Sequence, residues 1–194
     1  MWHHMKKMSE RTLYRVNEIF YSLQGEGYFT GTPVVFLRFS GCNLRCSFCD
    51  TDHEQGTEME IDTLVNRLLS YPSRHLVITG GEPSLQTDRL LVEVLHDAGF
   101  YVQIETNGTH PLPDNIDWVT CSPKADGPVV LDRIDELKVV YTGDDPEILA
   151  SGLNALHYFL QPCSGANIPQ TVEYVLAHPY WRLSLQTHKL IDIK

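Results

Sequence analysis

Strand-like apolar runs alternate with helix-like amphipathic stretches along most of this chain, and that alternation restricts its fold more than any other feature. Apolar residues recur at helical spacing over residues 61–69 and 90–98, and residues 172–177 read as a third helix. Repeated strand–helix–strand units predict a mostly parallel sheet with helices packed against it. The strand candidates are residues 34–39, 75–79, 101–104, 118–121, 137–141, 157–160 and 183–185.

The length of the chain selects among the parallel α/β architectures. Its 194 residues fall short of the about 250 residues typical of a closed eight-unit barrel. We therefore expect an incomplete, open parallel β/α barrel, formed by residues 12–194 as a single domain. Residues 1–11 are polar and rich in Met, His and Lys, and we expect them to be a flexible N-terminal extension.

Charge and cysteine content restrict the possible partners and location. The formal net charge of −10 argues against nucleic acid or an anionic membrane as partner, because either needs a dominant basic face. No apolar run approaches the ~18 residues of a membrane span, and no secretory signal is evident. The five cysteines are an odd number, so we expect no disulfide framework and a cytoplasmic location. Cys121 and Cys163 read as ordinary buried or half-buried thiols.

Polar clusters follow five of the predicted strands. Parallel α/β folds place their functional residues at the carboxyl ends of the strands. Five clusters at five strand ends therefore predict one site along that edge of the sheet. The clusters are residues 79–83, 105–108, 122–124, 161–162 and 186–189.

Three cysteines, Cys42, Cys46 and Cys49, form a C-x3-C-x2-C motif. A tight loop with this spacing can turn three thiolates toward one iron–sulfur cluster. Three ligands leave one iron of a four-iron cluster open to bind a cofactor or substrate, as catalytic metal sites do. A structural zinc site with His53 as its fourth ligand is the weaker alternative, since such sites usually contain two pairs of ligands.

The cysteine motif resembles the signature of the radical S-adenosylmethionine (SAM) superfamily. The resemblance extends to Phe48, an aromatic residue just before the third cysteine, and to the segment Gly80-Gly81-Glu82-Pro83. It implies that a reduced 4Fe-4S cluster cleaves SAM to a 5′-deoxyadenosyl radical, which abstracts a substrate hydrogen while the protein orients the cofactor and excludes water. The cofactor-binding residues it implies are Phe48, Gly81, Glu82, Ser122, Pro123, Lys124, Gln161, Pro162, Cys163 and Ser164.

Further motifs, over most of the chain, resemble those of 7-carboxy-7-deazaguanine synthases, with residues 17–27 and 184–189 as the outermost matches. The resemblance implies a carbon–nitrogen lyase that converts 6-carboxy-5,6,7,8-tetrahydropterin to 7-carboxy-7-deazaguanine with loss of ammonia, a step toward queuosine and other 7-deazapurines. It adds Mg²⁺, bound by Thr51, to the cluster and SAM as cofactors. The substrate-binding residues it implies are Leu23, Gln24, Gly25, Arg38, Thr79 and His188.

The chemistry of two of these residues agrees with the roles implied. Arg38 lies in an apolar run, which favours burial with a partner over an exposed strand end, and a guanidinium can bind a carboxylate with two hydrogen bonds. Thr51 can supply one oxygen to Mg²⁺, which usually keeps waters and takes its other ligands from the substrate. Capping of a turn stays open as the alternative role of Thr51.

Two other activities stay open at this point. A glycyl-radical enzyme activase shares the cluster motif but needs a broad groove for its protein substrate. An iron–sulfur electron carrier normally has four protein ligands to its cluster and leaves the glycine-rich segment at Gly80 unexplained. The implied partners are the small pterin substrate, a reductant such as flavodoxin or ferredoxin, and a second copy of the chain in a homodimer.

The C-terminal residues 189–194 follow the last predicted strand. They are too few for another helix and too apolar to trail freely. We expect them to fold back over the mouth of the reaction chamber and to exclude water and oxygen, which would place His188 or the terminal carboxylate near the substrate. A frayed tail is the alternative.

Overall fold

The computed structural model describes residues 13–49 and 51–194, and the predicted extension at residues 1–11 lies outside this range. The order of strands and helices follows the predicted alternation. The elements are β1 (Leu13–Leu23), β2 (Pro33–Phe39), β3 (Thr57–Glu60), α1 (Ile61–Leu69), β4 (His75–Gly80), α2 (Arg89–Asp97), β5 (Tyr101–Thr106), β6 (Trp118–Cys121), β7 (Glu136–Tyr141), α3 (Glu147–Ala150), β8 (His157–Pro162), α4 (Ile168–Ala177), β9 (Arg182–Leu183) and α5 (Thr187–Leu190).

The nine strands form one open sheet in the order β3-β1-β2-β4-β5-β6-β7-β8-β9. Strand β2 and strands β4 through β9 run parallel to one another, whereas β1 pairs antiparallel with β2 and β3. The predicted open, mostly parallel sheet is confirmed.

Strands β1 and β3 were not predicted. In β1 the buried side chains of Tyr14 and Val16 alternate as in any amphipathic strand, but the next buried residue is Ile19. The register shifts between Val16 and Glu18, and such a bulge moves the apolar face by one residue. The bulge therefore hides the period of two by which a strand is recognised in sequence.

Helices α1 and α2 pack against the sheet through leucines that the sequence pattern identified. Leu64 and Leu91 are among the side chains with 0% exposure, and burial of each contributes about 1.5–3 kcal/mol. The Asp88 carboxylate caps α2 by accepting a hydrogen bond from the Leu91 amide at 2.8 Å. After α2, Gly99 has φ +85°, the left-handed conformation predicted for the glycine that ends this helix.

The turn between β1 and β2, residues 24–32, fills the space inside the curved sheet. The rings of Tyr28 and Phe29 each lie 4.9 Å from the Trp118 ring at the start of β6. Phe29 also packs edge-on against His75 at the start of β4, at 4.7 Å. These contacts close the end of the sheet at which the parallel strands begin, and the opposite end is left for a site.

The same turn joins the C-terminal segment across the open side of the sheet. The Thr187 amide donates to the Gly25 carbonyl at 2.9 Å, and the Gly27 amide donates to the Ser184 hydroxyl at 2.9 Å. A Cβ at Gly25 would lie 2.0 Å from Nδ1 of His188, so only glycine allows the His188 ring to pack there. The C-terminal segment is thereby fixed beside the N-terminal turn.

The short helices α3 and α5 were not predicted, and α5 enters the segment in which no further helix was expected. Both have four residues, too few to show an amphipathic period. No helix in the described part of the chain combines the length and the apolarity needed to cross a membrane.

Candidate active site

A cavity of about 410 Å³ opens at the carboxyl ends of the parallel strands. The five predicted polar clusters, at the ends of β4, β5, β6, β8 and β9, all contribute to its wall, and so does the cysteine loop after β2. Most of the predicted site residues line it, and these are Leu23, Gln24, Gly25, Arg38, Cys42, Cys46, Phe48, Cys49, Thr51, Thr79, Gly81, Ser122, Lys124, Gln161, Pro162, Cys163, Ser164 and His188.

Two predicted cofactor-binding residues, Glu82 and Pro123, are not among the lining residues. The Glu82 side chain is fully buried. Its carboxylate accepts hydrogen bonds from the Thr106 hydroxyl at 2.6 Å, the Asn107 amide at 2.7 Å and the Ser84 amide at 2.9 Å. Glu82 therefore joins the loops after β4 and β5, and its contact with SAM stays a prediction.

The glycine-rich segment after β4 holds the cysteine loop in place. The Glu82 amide donates to the Gly41 carbonyl at 2.9 Å, and the Gly41 amide donates to the His53 carbonyl at 2.8 Å. A Cβ at Gly81 would lie 2.3 Å from the Gly41 carbonyl oxygen. The close approach of the two backbones explains why glycine is needed at position 81.

The three thiols of the motif suit a four-iron cluster better than a single ion. Cys42, Cys46 and Cys49 are free thiols on one cavity wall, and burial together with the charges of the other two raises the pKa of Cys46. Among the described residues, no three Cys, His, Asp or Glu side chains form a group that could hold one metal ion. In a four-iron cluster each thiolate binds a different iron, so its ligands stand farther apart.

The cavity wall is locally basic although the whole chain is acidic. Its described residues include five basic side chains and three carboxylates. The predicted pterin substrate carries a carboxylate, and this local charge suits such a ligand. The basic residues are Arg38, Lys124, Lys138, Lys189 and Lys194, and the carboxylates are Glu18, Glu26 and Glu105.

Arg38 is half-buried with a partner, as predicted, and the partner is Glu18 on β1. The Arg38 Nε atom donates to Glu18 Oε1 at 2.9 Å, and the Arg38 side chain is 21% exposed. The Glu18 carboxylate also pairs with the Lys194 ammonium. Although burial alone would raise it, hydrogen bonds from Lys194 and Arg38 lower the pKa of Glu18.

Sequence reasoning missed a group of charged side chains deeper in the cavity. Glu26, Glu105 and Lys138 all line it, and Lys138 pairs with Glu26. Glu105 lay within a predicted polar cluster, which could have identified it. Lys138 lies among the apolar residues of β7, and a lysine in an otherwise buried strand was the signal that could have found it.

Beneath this group, Glu136 is 2% exposed, and its carboxylate accepts a hydrogen bond from the Tyr28 amide at 3.1 Å. Burial raises the pKa of Glu136 to about 7, although the Lys138 charge opposes this. The folded protein thus keeps this proton to higher pH than the unfolded chain does.

Glu136→Gln is expected to remove part of the pH dependence of stability. Because the folded pKa lies above the usual 4.5, the parent loses stability as pH rises from about 4.5 to about 7, and the penalty is constant above that. The glutamine variant has no such penalty. Its free energy of unfolding, compared with that of the parent, is therefore expected to be up to roughly 3 kcal/mol more favourable at pH 8 than at pH 4. Denaturant unfolding of both proteins at several pH values measures the difference, and parallel curves would contradict the assignment.

Comparison with known proteins places this site in a class. The family model described as the radical SAM superfamily matches residues 37–142, which include all three motif cysteines, so the chain is a radical SAM protein. Within that superfamily it belongs to the 7-carboxy-7-deazaguanine synthase family. A synthase of this name from Bacteroides thetaiotaomicron is 61% identical over 180 residues, covering 93% of this chain and 98% of that protein.

More distant relatives agree with this assignment. The 7-carboxy-7-deazaguanine synthase of Bordetella pertussis is 45% identical over 209 residues, covering 93% of this chain and 99% of that protein. The crystal structure of QueE from Escherichia coli superposes with a TM-score of 0.76 at 32% identity, covering 89% of this chain and 93% of that one. These relatives decide against the glycyl-radical activase and the electron carrier.

Proposed function

We propose that this chain converts 6-carboxy-5,6,7,8-tetrahydropterin to 7-carboxy-7-deazaguanine with loss of ammonia, as a carbon–nitrogen lyase of queuosine and 7-deazapurine biosynthesis. The observation that carries the proposal is the shared cavity: the motif cysteines and the residues predicted to bind substrate line one space. A radical formed at the cysteine loop would therefore arise beside a substrate held by Arg38 and the N-terminal turn. The names of the relatives support the same reaction.

At the cofactor end of the cavity, Cys42, Cys46 and Cys49 would hold the 4Fe-4S cluster. When bound, the cluster and SAM supply the radical that starts the reaction. The residues after β4, β6 and β8 line the same cavity as the cysteine loop, where their polar groups can orient SAM. Lys124 is held there by hydrogen bonds to the carbonyl and the hydroxyl of Ser122, both at 2.7 Å.

At the substrate end, the side chains offer groups that a carboxylated pterin needs. Arg38 can bind its carboxylate, and the Glu105 carboxylate can accept hydrogen bonds from ring N–H groups. Thr51 lines the cavity beside Cys49, so its hydroxyl can supply one oxygen to a Mg²⁺ ion that the substrate also binds.

The remaining assignments follow from this chemistry. Reduction of the cluster requires an electron donor, for which a flavodoxin or ferredoxin is suited. We place the enzyme in the cytoplasm, because a reducing compartment keeps all five cysteines free. A homodimer is our proposal for its assembly.

The proposed reaction is tested by anaerobic reconstitution of the cluster, followed by incubation with SAM, Mg²⁺, a reductant and the carboxylated pterin. The expected product is 7-carboxy-7-deazaguanine, detected by mass spectrometry together with ammonia. A pterin without the carboxylate serves as the matched control and is expected to react poorly. Formation of 5′-deoxyadenosine without consumption of the carboxylated pterin would contradict the proposal.

Arg38→Ala is expected to weaken use of the carboxylated pterin by about tenfold to a hundredfold, because a charge-assisted pair is worth about 1.5–3 kcal/mol. Loss of the guanidinium also leaves the Glu18 carboxylate facing the substrate. Cleavage of SAM without pterin is expected to stay near the parental rate, since the cysteine loop is untouched. The apparent KM for pterin measures the effect. An unchanged KM would indicate that Lys124 or Lys189, rather than Arg38, binds the substrate carboxylate.

A further inference from the structure

A buried ammonium lies between two carboxylates on the cavity wall. The Lys138 side chain is 6% exposed, and its Nζ atom pairs with Glu26 Oε2 and lies 3.8 Å from Glu105 Oε2. Burial alone would lower the pKa of Lys138, but Glu105, Glu26 and Glu136 surround it and raise the pKa instead. The surrounding carboxylates therefore favour the charged form of this side chain.

Both carboxylates are also held from their other oxygen by a side-chain amide. Gln24 Nε2 donates to Glu105 Oε1 at 2.9 Å, and Gln186 Nε2 donates to Glu26 Oε1 at 2.8 Å. The Gln24 side-chain oxygen in turn accepts from the Glu26 amide at 3.2 Å. Each carboxylate thus has one oxygen toward Lys138 and one toward an amide, which fixes its orientation.

A purely stabilising role accounts poorly for this arrangement. Buried ion pairs are often no more stabilising than apolar residues of the same size, because desolvation offsets the attraction. Lys138 lies on the cavity face of β7, opposite to Leu137 and Val139, at a position buried enough for an apolar residue. The Glu105 side chain keeps 22% exposure and lines the cavity, so the group that Lys138 holds faces the reaction space.

We propose that Lys138 is a positioning residue that keeps the Glu105 carboxylate aimed into the cavity, where it accepts hydrogen bonds from the N–H groups of the bicyclic substrate. This inference rests on the proposed function. The buried Glu26 acts as the second counter-charge and ties the ammonium to the N-terminal turn. The network also couples this turn to the C-terminal segment through Gln186.

The test compares Lys138→Met with Lys138→Arg in the reconstituted enzyme. Lys138→Met is expected to raise the apparent KM for pterin about tenfold or more at pH 7, with a smaller change in kcat. Lys138→Arg keeps the charge and is expected to keep the KM for pterin near the parental value, because the guanidinium can still hold the Glu105 carboxylate.

Arg89→Met is the matched control, because Arg89 pairs with Glu93 and Asp114 away from the cavity, with a side chain 62% exposed. It is expected to keep parental kinetics. If Lys138→Met does not fold, the double variant Lys138→Met/Glu26→Gln removes the buried charge with its main partner and still deprives Glu105 of the ammonium.

A folded, cluster-loaded Lys138→Met or double variant with parental KM would overturn the proposal. A uniform fall in kcat together with iron content would likewise overturn it, since that outcome marks Lys138 as structural only. Failure of the proposed function gives a different result, because the parent enzyme itself would then not consume the pterin.

Discussion

Replacement of Cys46 by alanine is expected to leave the protein without a stable 4Fe-4S cluster and to abolish cleavage of SAM, and the same result is expected at Cys42 and Cys49. All three thiols line the cavity. Loss of any one leaves two protein thiolates, too few for a cluster whose fourth iron must stay open to SAM. Iron and sulfide content after anaerobic reconstitution, with 5′-deoxyadenosine as the activity readout, measure the effect.

Cys121→Ala is the control for this experiment. Cys121 is fully buried, and burial raises the pKa of its thiol to about 12, so it stays protonated and unable to bind iron. The control is expected to retain near-parental iron content. A Cys46→Ala protein with a full cluster and parental SAM cleavage would show that the motif has been misassigned.

Deletion of residues 190–194 is expected to lower pterin turnover by about fivefold or more, because the wall loses the exposed Lys194–Glu18 pair, worth up to about 1 kcal/mol, together with its cover. Lys194 lines the cavity, its ammonium pairs with Glu18 and lies 4.8 Å from the Phe20 ring, and its carbonyl accepts from the Ser22 hydroxyl. Without this cover water can enter, so the ratio of 5′-deoxyadenosine to deazaguanine product is expected to rise.

Ile191→Ser serves as the control for the deletion, because this side chain is 58% exposed and is not part of the cavity wall. It is expected to keep parental turnover and coupling. The truncated protein must also fold and bind iron as the parent does. Parental turnover and coupling in such a truncated protein would show that these residues are a frayed tail and not part of the chamber wall.

The parallel part of the fold could be predicted because its signals are local. The buried faces of α1 and α2 repeat at helical spacing, and the central strands are short apolar runs bounded by turns. The bulge in β1 and the four residues of β3 carry no such period. Residues 189–194 were expected to cover the chamber because they are partly apolar, yet Leu190 is 62% exposed. Hydrogen bonds and the Lys194 charge hold this segment, and neither can be read from hydropathy.

The candidate site likewise has a part that could be predicted from the sequence and a part that could not. The cysteine motif and the glycine-rich segment are contiguous in sequence, so spacing alone indicates their chemistry. The pairing of Lys138 with Glu26 joins residues 112 positions apart, and that of Gln24 with Glu105 joins residues 81 apart. Such contacts depend on how the N-terminal turn packs inside the curved sheet, and no local pattern specifies that packing.

The central claim is that one cavity holds the radical source and the pterin together. The most direct measurement is hydrogen transfer from a pterin deuterated at its non-exchangeable ring positions. If the two sites share the cavity, deuterium will appear in the deoxyadenosyl group, whether recovered as 5′-deoxyadenosine or as SAM, and only when product forms. Formation of 7-carboxy-7-deazaguanine with no deuterium in either adenosyl compound would contradict the account.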